Sequence, residues 1–438
     1  MKFNTDQEAI IQDNSNYVQV VAGAGSGKTH TMIGIMNRIL EEKKELPESV
    51  LVLTFSRKAA LEFTERLNRI HPLHGIAIQT FHAYCFSIIR KYHPEFKLKP
   101  PSILTDSDKE NFLKDFLREH KFTIGGIPFK YLINEVNGGL AIYFPDLYKI
   151  SQEKLEEYKS KENKLEFKDL VKIFLNALES QEEWTILPKT KIRRVIVDEF
   201  QDTDEEQLRF LKLLDPERIT VVGDDWQAIY GFRGATPKPF LEFGEHFAPL
   251  KRHFLATNYR SLPKIVEISR IPIQKNSDYI PKDVVSARKG KSDLGIWLFD
   301  EGIKGTNDAT KKILKLIKKN PDTRILCRTN FRIHEFKTAG IPLANLLTIH
   351  ASKGLEFDSV FVDLLGGWSQ SPATISNESL QEERRILYVA ISRSKNDLFL
   401  LGRSRRSPKK NLEDEFMEYF MNSKIPKSKN LLDRKSLS

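Results

Sequence analysis

Residues Gly23-Ala24-Gly25-Ser26-Gly27-Lys28-Thr29 fit the spacing G-x-x-x-x-G-K-[ST] residue for residue. That spacing holds nucleotide phosphates. Its glycines let successive backbone N–H groups turn toward phosphate oxygens, and a helix that starts there presents its positive dipole end. In such a loop Lys28 reaches the outer phosphates and Thr29 ligates Mg²⁺. The acidic counterpart is "VDEFQDTDEEQ". Asp198, at the end of an apolar run, is suited to hold Mg²⁺, and Glu199 to polarise an attacking water; two adjacent carboxylates beside a metal can divide those roles. Asp204, Glu205 and Glu206 read more simply as acids at a helix N-terminus, favoured there by the dipole. A phosphate loop alone leaves kinases, GTPases, transporters and motors open.

These groups need strands to carry them. Val18-Gln19-Val20-Val21 feeds the glycine loop, "SVLVLTFSRKAA" runs from a strand into a helix, and "RRVIVDEFQDT" and "RITVVGDDWQ" end in Asp198-Glu199 and Gly223-Asp224. Such continuous β-branched runs suit a parallel sheet covered on both faces, with ligands at its carboxyl end. Residues 93–164 change character. "SDKENFLKDFLREHKF" sets Phe112, Leu113, Phe116 and Leu117 along one helical face, which predicts a small helical insertion. The chain returns to the first lobe over 165–255. A second α/β unit is expected over 256–402, with strands at "LGIWLF", "TRILCRTN", "NLLTIH", "SVFVDLL" and "DLFLLG". Residues 403–438 read as a basic, polar C-terminal tail with a short helix at "LEDEFMEYFMN".

The chain has 438 residues, 40% of them hydrophobic and 29% charged, which predicts a globular protein of more than one domain. No leader pattern and no apolar run of bilayer length is visible, so a cytoplasmic location and no membrane partner are expected. The two cysteines, Cys85 and Cys327, lie far apart without metal-ligand spacing and read as buried thiols. A net charge of +10 is compatible with a polyanionic partner, because neutralising phosphates releases counterions.

In order along the chain stand "FNTDQ", "GAGSGKT", "LTFSRKAALEFTERL", "TFHAYCFSIIR", "LEFKDLV", "VDEFQDT", "VVGDDWQAIYGFRGA", "NYRS", "TIHASKGLEFDSVFV" and "EERRILYVAISRS". This series resembles the UvrD/Rep/PcrA family of superfamily 1 helicases, with "GDDWQ" closer to the helicase IV branch. The resemblance implies two RecA-like lobes, 1–92 with 165–255 and then 256–402, and ATP with Mg²⁺ between them. On its motif positions Gln7 reads adenine, Tyr259 stacks on the base, Glu356 contacts the ribose, and Gly23 to Thr29 with His30 surround the phosphates. Gln227 senses the γ-phosphate, and Arg260 and Arg393 approach it from the second lobe, so hydrolysis would depend on cleft closure. The same resemblance assigns Phe55, Thr80, His82, Tyr230, Phe232, Arg328 and His350 to single-stranded DNA. Aromatics mixed with cations suit that task. Phe232 stands where relatives often carry Trp, and Trp226 has no assigned role.

Family members carry a large auxiliary domain between strands like "RILCRTN" and "NLLTIH"; only "FRIHEFKTAGIPLA" separates them here, enough for a helix and a turn. Two readings follow. The first is an ATP-dependent helicase that moves 3′ to 5′ on single-stranded DNA or at single/double-strand junctions, in repair, replication or phage defence, its polarity resting on the resemblance alone. The second is a nucleotide-gated DNA-binding subunit with a nuclease or repair partner, since this chain carries no nuclease constellation. A small-molecule kinase explains the glycine loop and leaves Arg260 and Arg393 unexplained. RNA stays open as a substrate, because only the 2′-OH distinguishes it at a backbone-reading site.

Overall fold

The computed structural model describes residues 2–119, 141–142, 144–368, 370–405, 411–421, 425 and 427–428. Apolar runs form strands β1 (Tyr17–Ala22), β2 (Val50–Thr54) and β3 (Ala77–Thr80), then the short pair β4 (Ser102–Ile103) and β5 (Lys164–Leu165), then β6 (Arg194–Val197), β7 (Arg218–Gly223) and β8 (Leu250–Leu255). Except for β4 and β5 they make one six-stranded parallel sheet, ordered β3-β2-β6-β7-β1-β8. β2 and β6 are buried at every residue, because helices cover both faces. Phe81–Tyr92, Phe167–Glu179 and Glu205–Leu214 cover one face, and Thr5–Gln12, Lys28–Glu42 and Arg57–Asn68 the other.

Beyond the pair β9 (Thr257–Asn258) and β10 (Val285–Ser286) lies the second sheet. Its strands are β11 (Asp293–Phe299), β12 (Thr323–Cys327), β13 (Leu346–Thr348), β14 (Phe357–Asp363), β15 (Ser394–Arg403) and β16 (Lys427–Ser428), ordered β13-β12-β14-β15-β11-β16 and all parallel. Numbered within its own lobe, each sheet has the order 3-2-4-5-1-6. The two lobes are copies of one RecA-like α/β topology. Their interiors merge: Ala24, Trp226 and Ile229 of the first lobe are buried in the same apolar cluster as Ile265, Tyr388 and Leu400 of the second.

β4 pairs with β5 at the neck of the helical segment. Beyond it, helix Asp106–Glu119 buries Phe116 and Leu117, with Phe112, Leu113, Leu147 and Tyr148 against them, in a cluster separate from either lobe. The middle of this segment, 120–140 and 143, lies outside the described residues. Between β12 and β13 the chain makes one helix, Asn330–Thr338, and one short turn, Leu343–Asn345, so no auxiliary domain stands there.

The reading of 403–438 as a tail needs correction. Helix Leu412–Met421 buries Leu412, Phe416, Met417 and Phe420 in the second core, because these residues recur at helical spacing despite polar flanks. Glu413 is buried too, accepting from Trp368 N at 2.9 Å. Residues 406–410, 422–424, 426 and 429–438 lie outside the described residues. Cys85 and Cys327 are buried free thiols. No described helix is long and apolar enough to cross a membrane.

Candidate active site

The glycine loop leaves β1 and enters helix Lys28–Glu42, which begins after Gly27 at φ +83° and has no side-chain cap. Its first N–H groups therefore remain available to an anion. Gly25, at φ +65°, has a second reason to be glycine: a Cβ there would sit 2.7 Å from Arg260 Cβ. Ser26 Oγ is buried without a hydrogen-bond partner among the described residues. Gln7 is buried behind the loop, where its Oε1 accepts from Asn4 N at 3.0 Å and its Nε2 lies 3.5 Å from Ser26 O. Tyr259 N donates to Gly25 O at 2.9 Å, and its hydroxyl accepts from Asn4 Nδ2 at 2.7 Å, which leaves the ring face open beside the loop. His30 packs against Phe3 at 4.6 Å between ring centres.

Asp198 and Glu199 end β6 facing Lys28. Lys28 Nζ lies 3.1 Å from both Glu199 carboxylate oxygens. Burial works against the lysine charge, but Glu199, Asp224 and Asp198 outweigh it and raise its pKa above the ordinary value. Glu199 holds a left-handed backbone at φ +51°, which costs a side-chain-bearing residue about 1–2 kcal/mol. Burial also opposes its charge, yet Lys28 and Lys353, helped by a hydrogen bond from Gln201, hold its carboxyl well below the usual range. Asp198 goes the other way, pushed up by burial and by Glu199. Asp198 Oδ1 is buried with no partner among the described residues. An open carboxylate oxygen beside the loop that carries Thr29 fits a divalent cation.

The second lobe closes the other side. Arg393 is 1% exposed and donates to Val389 O, Leu355 O, Ser392 Oγ and, at 3.0 Å, Gln227 Oε1. Among the described residues it has no carboxylate partner, and burial together with the nearby Arg260 lowers its pKa to about 9. Arg260 by contrast is paired with Glu356, Nε to Oε2 at 2.8 Å. Residues Gly25 to His30, Asp198, Glu199, Gln227, Tyr259, Arg260, Glu356 and Arg393 line one cleft of about 640 Å³. Gly23, Ala24 and Gln7 stand behind its wall.

Of the residues assigned to nucleic acid, four form one cluster. Phe55 stacks on Tyr230 at 5.1 Å, and Phe232 lies 5.9 Å from Tyr230 and 5.3 Å from His350. Arg233 sits 5.3 Å from the centre of the Tyr230 ring and Lys353 4.7 Å, so cations interleave the aromatics at the lobe boundary. Burial, with Arg328, Lys353 and Arg233 adding to it, pushes His350 down to about 4. Thr80 and His82 stand apart: Thr80 caps helix Phe81–Tyr92, and His82 meets exposed Phe167 edge-on at 5.8 Å. Arg328 is held by Glu383 through two bonds of 2.9 and 2.6 Å.

Several residues were not singled out by sequence. Lys353 bonds Asp202 and Gln227 O, crossing from the second lobe to the first. Tyr388 Oη accepts from Ala24 N at 3.4 Å, and Asn258 Nδ2 donates to Ala24 O at 2.7 Å. Arg233 and Lys353 were readable beside Phe232 and inside "HASKGLE"; Asn258 and Tyr388 lie inside "NYRS" and "EERRILYVAISRS", which gave neither of them a role. Trp226 has a structural place. It is 3% exposed, packs on Tyr388 at 5.5 Å, and donates from Nε1 to Ile280 O at 3.1 Å.

The family model for the UvrD/REP helicase N-terminal domain matches residues 3–137 and 143–248, and that for the UvrD-like helicase C-terminal domain matches 335–404. Curated relatives include the ATP-dependent DNA helicases PcrA of Staphylococcus epidermidis RP62A, 29% identical over 357 residues, and of Staphylococcus aureus Mu50, 29% over 353. Each match takes in 75% of this chain and 48% of the relative, so the chain spans about half the length of the curated relatives it matches. With both lobes matched in order, the chain belongs to the UvrD/REP helicase family.

Proposed function

We propose that this chain hydrolyses ATP in the cleft between its lobes and uses the cycle to move 3′ to 5′ along single-stranded DNA. The observation that carries the reading is Arg393: a buried guanidinium with no carboxylate partner among the described residues, supplied by one lobe to the cleft that holds the other lobe's glycine loop. Such a charge calls for an anion, and a terminal phosphate between the lobes provides one. The first N–H groups of helix Lys28–Glu42 and the Lys28 ammonium hold the outer phosphates, with Tyr259 beside the base. Glu199, kept ionised by Lys28 and Lys353, orients and deprotonates the attacking water, while Gln227 and Arg393 face the transferring group. Mg²⁺, when bound by Thr29 and Asp198, would neutralise phosphate charge. Arg260 reaches the phosphate by leaving Glu356, which frees that carboxylate for the ribose.

Opening and closing the cleft moves the aromatic cluster at its mouth, because Lys353 touches Asp202, Gln227 O and the Tyr230 ring together. A strand stacked on Phe55, Tyr230 and Phe232 would be passed along in step, with Arg328, His350, Thr80 and His82 as further contacts. Phosphate release measured side by side with single-stranded DNA, duplex DNA and RNA tests the substrate. Lys28→Ala and Glu199→Gln test the mechanism; retained turnover in either removes it. The short β12–β13 connection favours a second reading, an ATPase that needs a nuclease or repair partner before it separates strands. Strand displacement by the purified chain supports the first reading; DNA-stimulated turnover without displacement supports the second.

A further inference from the structure

We propose that Lys282, which lies outside both family matches, is a positioning residue for ATP hydrolysis: it fixes Asp224 and, through Asp224, the Gln227 amide that meets Arg393. The inference rests on the hydrolytic reading above and names a part of that site.

The Lys282 side chain is 1% exposed. Its Nζ lies 2.6 Å from Asp224 Oδ1, 2.8 Å from Asp225 Oδ1 and 3.0 Å from Ala22 O, so all three ammonium donors are used. It also sits 4.7 Å from the centre of the Trp226 ring. Ala22 is the last residue of β1 before the glycine loop, and Asp224 to Gln227 form the turn after β7. One lysine therefore ties the base of the phosphate loop to the turn that carries Gln227.

From Asp224, hydrogen bonds run toward both sides of the cleft. The Gln227 Nε2 amide donates to Asp224 Oδ2, and Gln227 Oε1 accepts from Arg393 Nη2 at 3.0 Å. Asp224 N donates to Gln201 Oε1 at 2.8 Å, and Gln201 Nε2 donates to Glu199 Oε2 at 2.6 Å. An amide has two ends, and fixing its nitrogen on Asp224 leaves its oxygen facing the guanidinium. Without Lys282 the Asp224 carboxylate keeps only the bonds from Trp226 N, at 3.2 Å, and from Gln227 Nε2, so the hold on the Gln227 amide loosens.

The chain around Lys282 makes this a link between lobes. After helix Pro263–Ser269, packed in the second core, the chain turns back under the first lobe over residues 279–286. There Ile280 N donates to Asp225 Oδ2 at 2.8 Å, and the Val284 side chain lies 2.8 Å from where a Cβ on Gly23 would sit. The chain then enters β11. A displacement of the second lobe would thus reach Gln227 along this strap as well as through Arg393.

Charge compensation for the buried pair Asp224 and Asp225 is the competing role for a buried lysine. The double variant Lys282→Met/Asp225→Asn separates the two, because it removes one charge of each sign, while Asn at position 225 keeps an acceptor for Ile280 N. DNA-stimulated phosphate release is measured across ATP concentrations for wild type, the double variant and Asp224→Asn, with thermal unfolding as the folding check. The expected result is a kcat loss of about tenfold or more in both variants with the KM for ATP within about twofold. A folded double variant with wild-type kcat overturns the proposal, as does a loss confined to KM. If the double variant does not fold, Asp224→Asn decides by the same criteria, and if neither folds the role is structural and the proposal fails. Absence of DNA-stimulated turnover in wild type would instead sink the functional reading itself.

Discussion

Arg393→Met should abolish turnover and leave the fold standing, an unusual pairing for so buried a residue. The side chain makes four hydrogen bonds in the structure. On its removal Val389 O still accepts from Ser392 Oγ at 3.0 Å, so the acceptors that lose a partner are chiefly Leu355 O and Gln227 Oε1. Leaving each unpaired costs about 1–3 kcal/mol. Against that, the variant no longer buries a guanidinium that has no carboxylate partner among the described residues, a relief of several kcal/mol after relaxation. The terms are of similar size and opposite sign, so the net change in stability should stay within about 2 kcal/mol. The catalytic change has nothing to offset it. A guanidinium that meets the transferring phosphoryl group contributes about 10³–10⁵ in kcat, or roughly 4–7 kcal/mol of barrier. Phosphate release at saturating DNA and ATP, with a thermal melt of the same preparation, measures both. A well-folded Arg393→Met turning over within a factor of about ten of wild type would refute the reasoning.

Other expectations concern the remaining elements. Trp226→Ala should cost about 3–5 kcal/mol in denaturant titration, since it empties a buried site between the lobes and strands Ile280 O; Trp226→Phe should cost less. Gly231→Ala would set a Cβ 2.6 Å from the Glu382 carboxylate, which accepts from Gly231 N, so it should displace the Phe232 turn and weaken single-stranded DNA binding about tenfold without abolishing DNA-independent turnover. His350 is pushed down to about 4 from 6.5 by burial, with Arg328, Lys353 and Arg233 adding to it. Its folded value lies below its unfolded one, so stability falls as pH drops from 6.5 toward 4 and is level above. Nearby phosphates favour the imidazolium, so DNA binding should take up a proton. Affinity measured by fluorescence anisotropy should rise through that same window as pH falls, and His350→Gln should flatten the profile.

Much of the cleft was legible because its chemistry sits in contiguous strings. The loop from Gly23 to Thr29 and the pair Asp198-Glu199 each follow an apolar run, and a parallel sheet brings the ends of such runs to one edge. The strings around Arg260 and Arg393 were legible only as members of an ordered series; nothing local to either residue says that it faces Gly25. Lys282 was not legible, since it acts on residues more than fifty positions away and lies in none of the motif strings; Asn258 and Tyr388 stand inside "NYRS" and "EERRILYVAISRS", but nothing there says that they reach Ala24, 234 and 364 positions away. Helix Leu412–Met421 was seen as a helix but not as core, because the basic run before it outweighed the spacing of Leu412, Phe416 and Phe420. Thr80 and His82 share a motif with no member of the Phe55–Tyr230 cluster, and the fold sets them apart from it.

The account stands on a nucleotide held by both lobes and linked to a strand at their boundary, and steady-state phosphate release by the wild-type chain tests that most directly. Turnover should rise saturably with single-stranded DNA and vanish in Lys28→Ala. No turnover, or turnover indifferent to any nucleic acid, would contradict it.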